Sequence, residues 1–134
     1  MNFDFLAEAA KEAMAKAYAP YSGYYVGAAL LSEDGKVYTG CNIENSAYSP
    51  TNCAERTAFF KAVSEGERAF SAIAVAGGYK GEVKDIFPPC GVCRQVMMEF
   101  CDPHTFKIIL VHDSGYEEKT LSELLPLGFD SAKK

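Results

Sequence analysis

The run Val26-Gly27-Ala28-Ala29-Leu30-Leu31, the polar Glu33-Asp34-Gly35-Lys36 and the segment Val37 to Ile43 together decide what kind of domain this chain forms. Two apolar stretches flanking an Asp-Gly turn have the layout of a β-hairpin. Toward the N-terminus, Leu6, Ala9, Ala10, Ala13, Met14 and Ala17 recur at helical spacing among Glu8, Lys11, Glu12 and Lys16. They mark an amphipathic helix that ends before Pro20. Toward the C-terminus, Thr51-Asn52 is placed to cap a helix from about Cys53 to Glu65, with Gly66 as its stop. Ala72 to Ala76 reads as a buried strand ending at Gly77-Gly78, and Gly91 to Phe100 as a helix entered through Pro88-Pro89. Lys107 to His112 is a further strand, and Thr120 to Leu125 a short final helix. Strands alternating with helices in this order predict an α/β layered domain, its sheet beginning antiparallel and continuing through parallel crossovers.

The 134 residues carry 13 Lys+Arg against 18 Asp+Glu, a formal charge of −5, and 49% of them are hydrophobic. A chain this long buries roughly two-thirds of its surface and needs no disulfide or structural metal merely to fold. One domain, residues 1–134, is the expectation. Scattered basic residues on an acidic chain argue against a nucleic-acid polymer as partner and leave small molecules as the expected ligands. Met1-Asn2-Phe3-Asp4 lacks the basic start and apolar run of a signal peptide. The uncharged stretch from Ala17 to Ser32 is broken by Pro20, Ser22, Gly23 and Gly27, so no membrane span is expected. A cytoplasmic protein follows, with Ser131 to Lys134 as a frayed tail.

Cys41, Cys53, Cys90, Cys93 and Cys101 are an odd number of cysteines, which suits metal or redox chemistry better than a disulfide framework. Cys53 opens one predicted helix, and Pro89-Cys90-Gly91-Val92-Cys93 opens another. A C-x-x-C turn presents two thiolates to one ion, and a layered fold can bring the Cys53 junction to the same sheet edge. Three sulfurs favour zinc over hard cations, and three protein ligands leave a position for water, as in catalytic zinc sites. Cys101 follows Cys93 by two helical turns, about 12 Å along the axis, which takes it out of reach of the same ion. It and Cys41 read as small buried residues. Glu55, two residues from Cys53, has an ordinary explanation in the helix dipole. Beside a metal-bound water it is instead a general acid-base. Zinc with three thiolates sums to −1, which Arg56 and the two helix N-termini can offset by hydrogen-bonding the sulfurs.

Asn42-Ile43-Glu44-Asn45, Thr51-Asn52-Cys53-Ala54-Glu55-Arg56-Thr57-Ala58 and Pro89-Cys90-Gly91-Val92-Cys93-Arg94-Gln95 resemble the short-chain, three-cysteine class of cytidine deaminases. The general signature of zinc deaminases is closely related: a His or Cys first ligand, then P-C-x-x-C. The resemblance runs from Ala19-Pro20-Tyr21-Ser22 to Glu123-Leu124-Leu125-Pro126. It implies a three-layer α/β/α fold and one zinc per chain on Cys53, Cys90 and Cys93. It also implies hydrolysis of free cytidine and 2′-deoxycytidine in pyrimidine salvage, with zinc hydroxide attacking C4 and Glu55 moving protons to N3 and to the departing amine. By the same resemblance Asn42 and Glu44 bind the ribose, Ala54 helps hold the base, and Tyr48 and Phe129 reach across subunits of a homotetramer. Within Tyr21-Ser22-Gly23-Tyr24-Tyr25-Val26-Gly27-Ala28, Tyr24 stands where the family usually has Phe. Its ring can stack on a pyrimidine, while its hydroxyl needs a partner if buried. Two other readings stay open: deamination of a cytosine-nucleoside analogue such as blasticidin S, and a non-catalytic, zinc-stabilised binding module.

Overall fold

In the computed structural model, which describes residues 2–130, one sheet is built in the order β2-β1-β3-β4-β5. Its strands are β1 (Tyr24–Ser32), β2 (Val37–Cys41), β3 (Phe70–Tyr79), β4 (Lys107–His112) and β5 (Gly115–Thr120). Ser131 to Lys134, read above as a tail, lie outside the described residues. β1 runs antiparallel to both of its neighbours, so β2 and β3 point the same way, and β3 pairs with β4 in parallel. The connections from β2 to β3 and from β3 to β4 are thus both parallel crossovers, as the sequence predicts. They carry α2 (Ala54–Ser64) and α3 (Gly91–Phe100) to one face of the sheet. α1 (Asp4–Ala13), continued by a 3-10 turn at Met14–Lys16, covers the other face and completes the three layers.

Strand alternation sorts the core into two halves. Val26, Ala28, Leu30, Ile73, Val75, Ile108 and Leu110 meet Phe59, Met97 and Phe106 on the α2/α3 side. Ala29, Leu31, Ala72, Ala74, Ala76, Ile109 and Val111 meet Leu6, Ala10 and Met14 of α1. A strand covered on both faces needs apolar residues at every position, which is why Ala72 to Ala76 shows no alternation. Two glycines set the helix-to-sheet distance. A Cβ on Gly27 would stand 2.0 Å from the Ala10 carbonyl oxygen, and one on Gly40 would stand 2.4 Å from that of Ala54.

Three local expectations are corrected. Thr51 and Asn52 do not cap α2. Cys53 is its N-cap residue, while Asn52 Nδ2 donates to Thr57 Oγ1 (3.1 Å) and Thr51 Oγ1 accepts from the Asn45 N–H (3.0 Å). β3 does not stop at its glycines but continues to Tyr79, because Gly78 lets the turn behind it approach: a Cβ there would lie 1.8 Å from the Glu82 carbonyl oxygen. β5 has no apolar period to reveal it. It is an edge strand, Gly-Tyr-Glu-Glu-Lys-Thr, whose exposed charges discourage further pairing. It leads into α4 (Leu121–Leu124), where Thr120 and Glu123 form a reciprocal capping box.

Because β2, β3 and β4 run in parallel, the loops leaving β2 and β3 emerge at one edge of the sheet, and so do the starts of α2 and α3. β1 is antiparallel, so its first residue, Tyr24, lies at the same edge, paired with Tyr79. In open α/β sheets, ligand sites gather at this carboxyl edge.

Candidate metal and active site

Cys53 and Cys90 are the N-cap residues of α2 and α3, and Cys93 sits in the first turn of α3. Their sulfurs all lie within 4.8 Å of one another, at 3.8 Å for Cys53–Cys90 and 3.5 Å for Cys90–Cys93. Tetrahedral zinc with sulfur at about 2.3 Å requires sulfurs ~3.8 Å apart, so the donor set fits zinc in both chemistry and spacing. This is the one His/Cys/Asp/Glu cluster among the described residues with such convergence. Cys101 is buried at the far end of α3, as expected, whereas Cys41 in β2 is only half-buried; neither joins the cluster.

Arg56, one turn into α2, donates from Nη2 to Cys53 Sγ (3.2 Å). Its Nε is buried with no hydrogen-bond partner among the described residues. Hydrogen bonding from the Cys93 thiol, joined by Arg56, pulls the Cys53 thiol down to about 5 despite burial. The same sulfur–sulfur contact together with burial holds Cys93 well above the usual thiol range. Burial opposes the charge on Arg56, but the Cys53 and Cys93 sulfurs override it and keep the guanidinium firmly protonated. A divalent cation that binds these three sulfurs as thiolates releases their protons.

Glu55 is 4% exposed, and burial pushes its carboxyl up to about 7, with the neighbouring Cys53 charge adding to the effect. It lines a cavity of 330 Å³ together with Cys53, Cys90, Ala54, Tyr24, Asn42 and Glu44. The segment after β2 is held against the loop before α2 by reciprocal backbone hydrogen bonds between Ile43 and Asn52, both 2.9 Å. That clamp puts the Asn42–Glu44 wall beside Cys53. Asn42 is buried; its Oδ1 accepts from the Val26 N–H (2.9 Å) and its Nδ2 donates to the Tyr24 carbonyl (2.8 Å), tying it to the start of β1. An amide retains one further N–H and one further lone pair after those bonds. The Tyr24 ring packs against Phe87 (5.9 Å between centroids) and Tyr79 (5.4 Å), forming an aromatic wall.

Cys93 and Arg56 sit behind the lining of this cavity, and two of the predicted substrate-binding residues, Tyr48 and Phe129, lie away from it. Tyr48 is 73% exposed in a left-handed conformation (φ 65°), its ring edge-on to Tyr21, and Phe129 is 62% exposed, its backbone held by the Gln95 side chain at both N–H and C=O. The cavity also contains residues to which the sequence assigns no site role: Ser22, Val26, Thr51, Asn52, Phe87 and Pro88. Pro88 counts in the sequence only as a lead into α3. Ser22 lies in a turn that Pro20 and Gly23 do announce.

The family model for the cytidine and deoxycytidylate deaminase zinc-binding region matches residues 2–109. A protein of Sporosarcina psychrophila named cytidine deaminase is 54% identical over 130 residues, covering 96% of this chain and 92% of its own. A cytidine deaminase of Halalkalibacterium halodurans is 52% identical, with 96% and 95% covered. Among solved structures, cytidine deaminase from Burkholderia pseudomallei superposes with a TM-score of 0.88 at 48% identity, covering 96% of this chain and 100% of that one. The enzyme from Mycobacterium tuberculosis gives 0.81 at 38% identity, with 97% and 98% covered.

Proposed function

The chain belongs to the cytidine and deoxycytidylate deaminase family, and on that premise we propose that it hydrolyses free cytidine and 2′-deoxycytidine to uridine and 2′-deoxyuridine, releasing ammonia. The carrying observation is a buried carboxylate, Glu55, in one cavity with three converging cysteine sulfurs. Cys53, Cys90 and Cys93 hold one zinc. When bound, zinc supplies Lewis acidity that makes water a nucleophile at neutral pH. Glu55 would accept a proton from the attacking water and deliver it to N3 of the pyrimidine, then take the remaining proton from the new C4 hydroxyl and pass it to the amino group, which leaves as ammonia. A carboxyl with affinity near neutrality can both take and return a proton. Tyr24 and Phe87 flank the base, the backbone around Ala54 contacts its polar edge, and Asn42 and Glu44 receive the ribose. Arg56 spreads the negative charge of the sulfurs.

The exposure of Tyr48 and Phe129 supports their use by neighbouring copies in a homotetramer, where each ring would close an adjoining site. Five free cysteines, three of them metal-directed, support a reducing, cytoplasmic setting. Recovery of uracil nucleosides from free cytosine nucleosides is the chemistry of pyrimidine salvage. No helix among the described residues is long and apolar enough to cross a membrane. The test is the ultraviolet change on incubating zinc-loaded protein with cytidine, deoxycytidine and CMP, with Glu55→Gln protein as the blank. Turnover of the two nucleosides and not of CMP is expected. Failure to turn over either nucleoside at one zinc per chain refutes the proposal.

A further inference from the structure

We infer that Ser22 is a positioning residue for the sugar end of the cavity, fixing Glu44 so that its carboxylate has a single acceptor position left for one ribose hydroxyl. The inference rests on the nucleoside reading above and concerns a residue outside the metal cluster. Glu44 Oε1 accepts from two backbone N–H groups of the turn before β1, Tyr21 (3.0 Å) and Ser22 (3.1 Å). Oε2 accepts from the Ser22 hydroxyl. A carboxylate offers about four lone-pair positions. Both on Oε1 are occupied and one on Oε2 is occupied, so one remains, on the oxygen beside Ser22. Ser22 and Glu44 both line the cavity.

The hydroxyl of Ser22 cannot easily turn elsewhere. Its oxygen accepts from the Tyr24 N–H (3.0 Å), which occupies a lone pair and leaves the proton for Glu44. Tyr24 is also the residue whose carbonyl anchors Asn42 and whose ring forms the aromatic wall against Phe87. One backbone position therefore sets the stacking surface, the Asn42 amide and, through Ser22, the Glu44 carboxylate. The turn that allows this passes through Gly23 at φ 75°, where a Cβ would also strike the Tyr79 ring at 2.8 Å. A carboxylate held this way acts only as an acceptor, and for one hydroxyl.

The test compares cytidine with 2′,3′-dideoxycytidine, which lacks both secondary ribose hydroxyls, in wild-type holoenzyme, Ser22→Ala, Glu44→Gln and the double variant. With zinc content and melting temperature unchanged, Ser22→Ala should lower kcat/KM for cytidine about tenfold, the loss expected of a charge-assisted hydrogen bond. Its loss on dideoxycytidine should be at least about threefold smaller, since that substrate registers only the freed Tyr24 N–H and not the Glu44 contact, and on cytidine it should add little to the loss already caused by Glu44→Gln. Equal losses on both substrates, or an unchanged cytidine value, overturn the positioning role. Wild-type holoenzyme that leaves cytidine untouched refutes the nucleoside reading itself, a result visible before any variant is compared.

Discussion

Gly40 is where β2 and α2 meet backbone to backbone, so a single methyl there should disturb the site from beneath. A Cβ at this position would stand 2.4 Å from the Ala54 carbonyl oxygen, 2.5 Å from the Ala58 nitrogen and 3.1 Å from the Ala58 Cα. Comfortable contacts begin near ~3.5 Å, so the first turns of α2 must withdraw by about 1 Å. All three obstacles are main-chain atoms, and no side-chain rotation relieves them. Overpacking of this kind costs about 1–3 kcal/mol, which in a domain of this size lowers the melting temperature by roughly 3–15 °C. The displaced turn carries Glu55 and Arg56 and follows directly on Cys53, whereas metal ligands tolerate only about 0.2 Å. Gly40→Ala is therefore expected to weaken zinc binding about tenfold or more, the loss typical of disturbing what orients a metal ligand, as well as to lower stability. Gly91→Ala is the control. It lies between Cys90 and Cys93, yet a Cβ there meets nothing within 4 Å. Alanine is also the better helix former by up to about 1 kcal/mol. Thermal melting and a zinc competition titration with a chromogenic chelator read both variants. Gly40→Ala protein that melts within a degree of wild type and binds zinc as tightly would refute the reasoning.

Glu55→Gln should keep one zinc per chain while kcat falls by about 10²–10⁴, measured by loss of ultraviolet absorbance; substantial residual turnover removes Glu55 from proton transfer. Cys53→Ala should purify with far less than one equivalent of zinc by metal analysis, and a full equivalent contradicts the three-sulfur site. Arg56→Gln should retain the fold by circular dichroism but lower kcat/KM, and unchanged kinetics excludes its electrostatic role. Glu123 is held below its usual pKa by the Thr120 backbone and side chain, so its capping contribution is present above the ordinary Glu range and lost as pH falls through the depressed folded value. The difference in melting temperature between wild type and Glu123→Gln should shrink as pH is lowered through that range, and a difference independent of pH would contradict the assignment.

The elements legible in the sequence are those whose burial imposes a period or whose ends carry punctuation. α3 and β4 begin and end where the pattern places them, at Gly91–Phe100 and Lys107–His112. β5 is illegible because an exposed edge strand has no apolar face to announce it. The cap of α2 misleads because Thr51 and Asn52 are good capping residues in general. Here their side chains are engaged by Asn45 and Thr57, and a cysteine directed at the metal cluster takes the position. The metal cluster and Glu55 are readable because their spacing is local to two helix starts. Asn42 and Glu44 are candidates through family resemblance, and their anchoring by Val26, Tyr24 and Ser22 depends on hydrogen bonds between segments about 20 residues apart, which no local pattern records.

The charge balance explains why this edge of the sheet is built as it is. Three ionised sulfurs carry −3, zinc +2 and Arg56 +1, so the complete cluster sums to zero, with Glu55 close by and almost fully buried. Arg56 pairs with Cys53 through Nη2. Three thiolates crowded at two helix starts repel one another, and a divalent cation among them offsets that repulsion. The repulsion is local to the starts of α2 and α3, which the two parallel crossovers force together. Metal binding is therefore coupled to the stability of the helix starts that position Glu55, so zinc should raise the melting temperature of the whole domain in proportion to the logarithm of its free concentration above the dissociation constant.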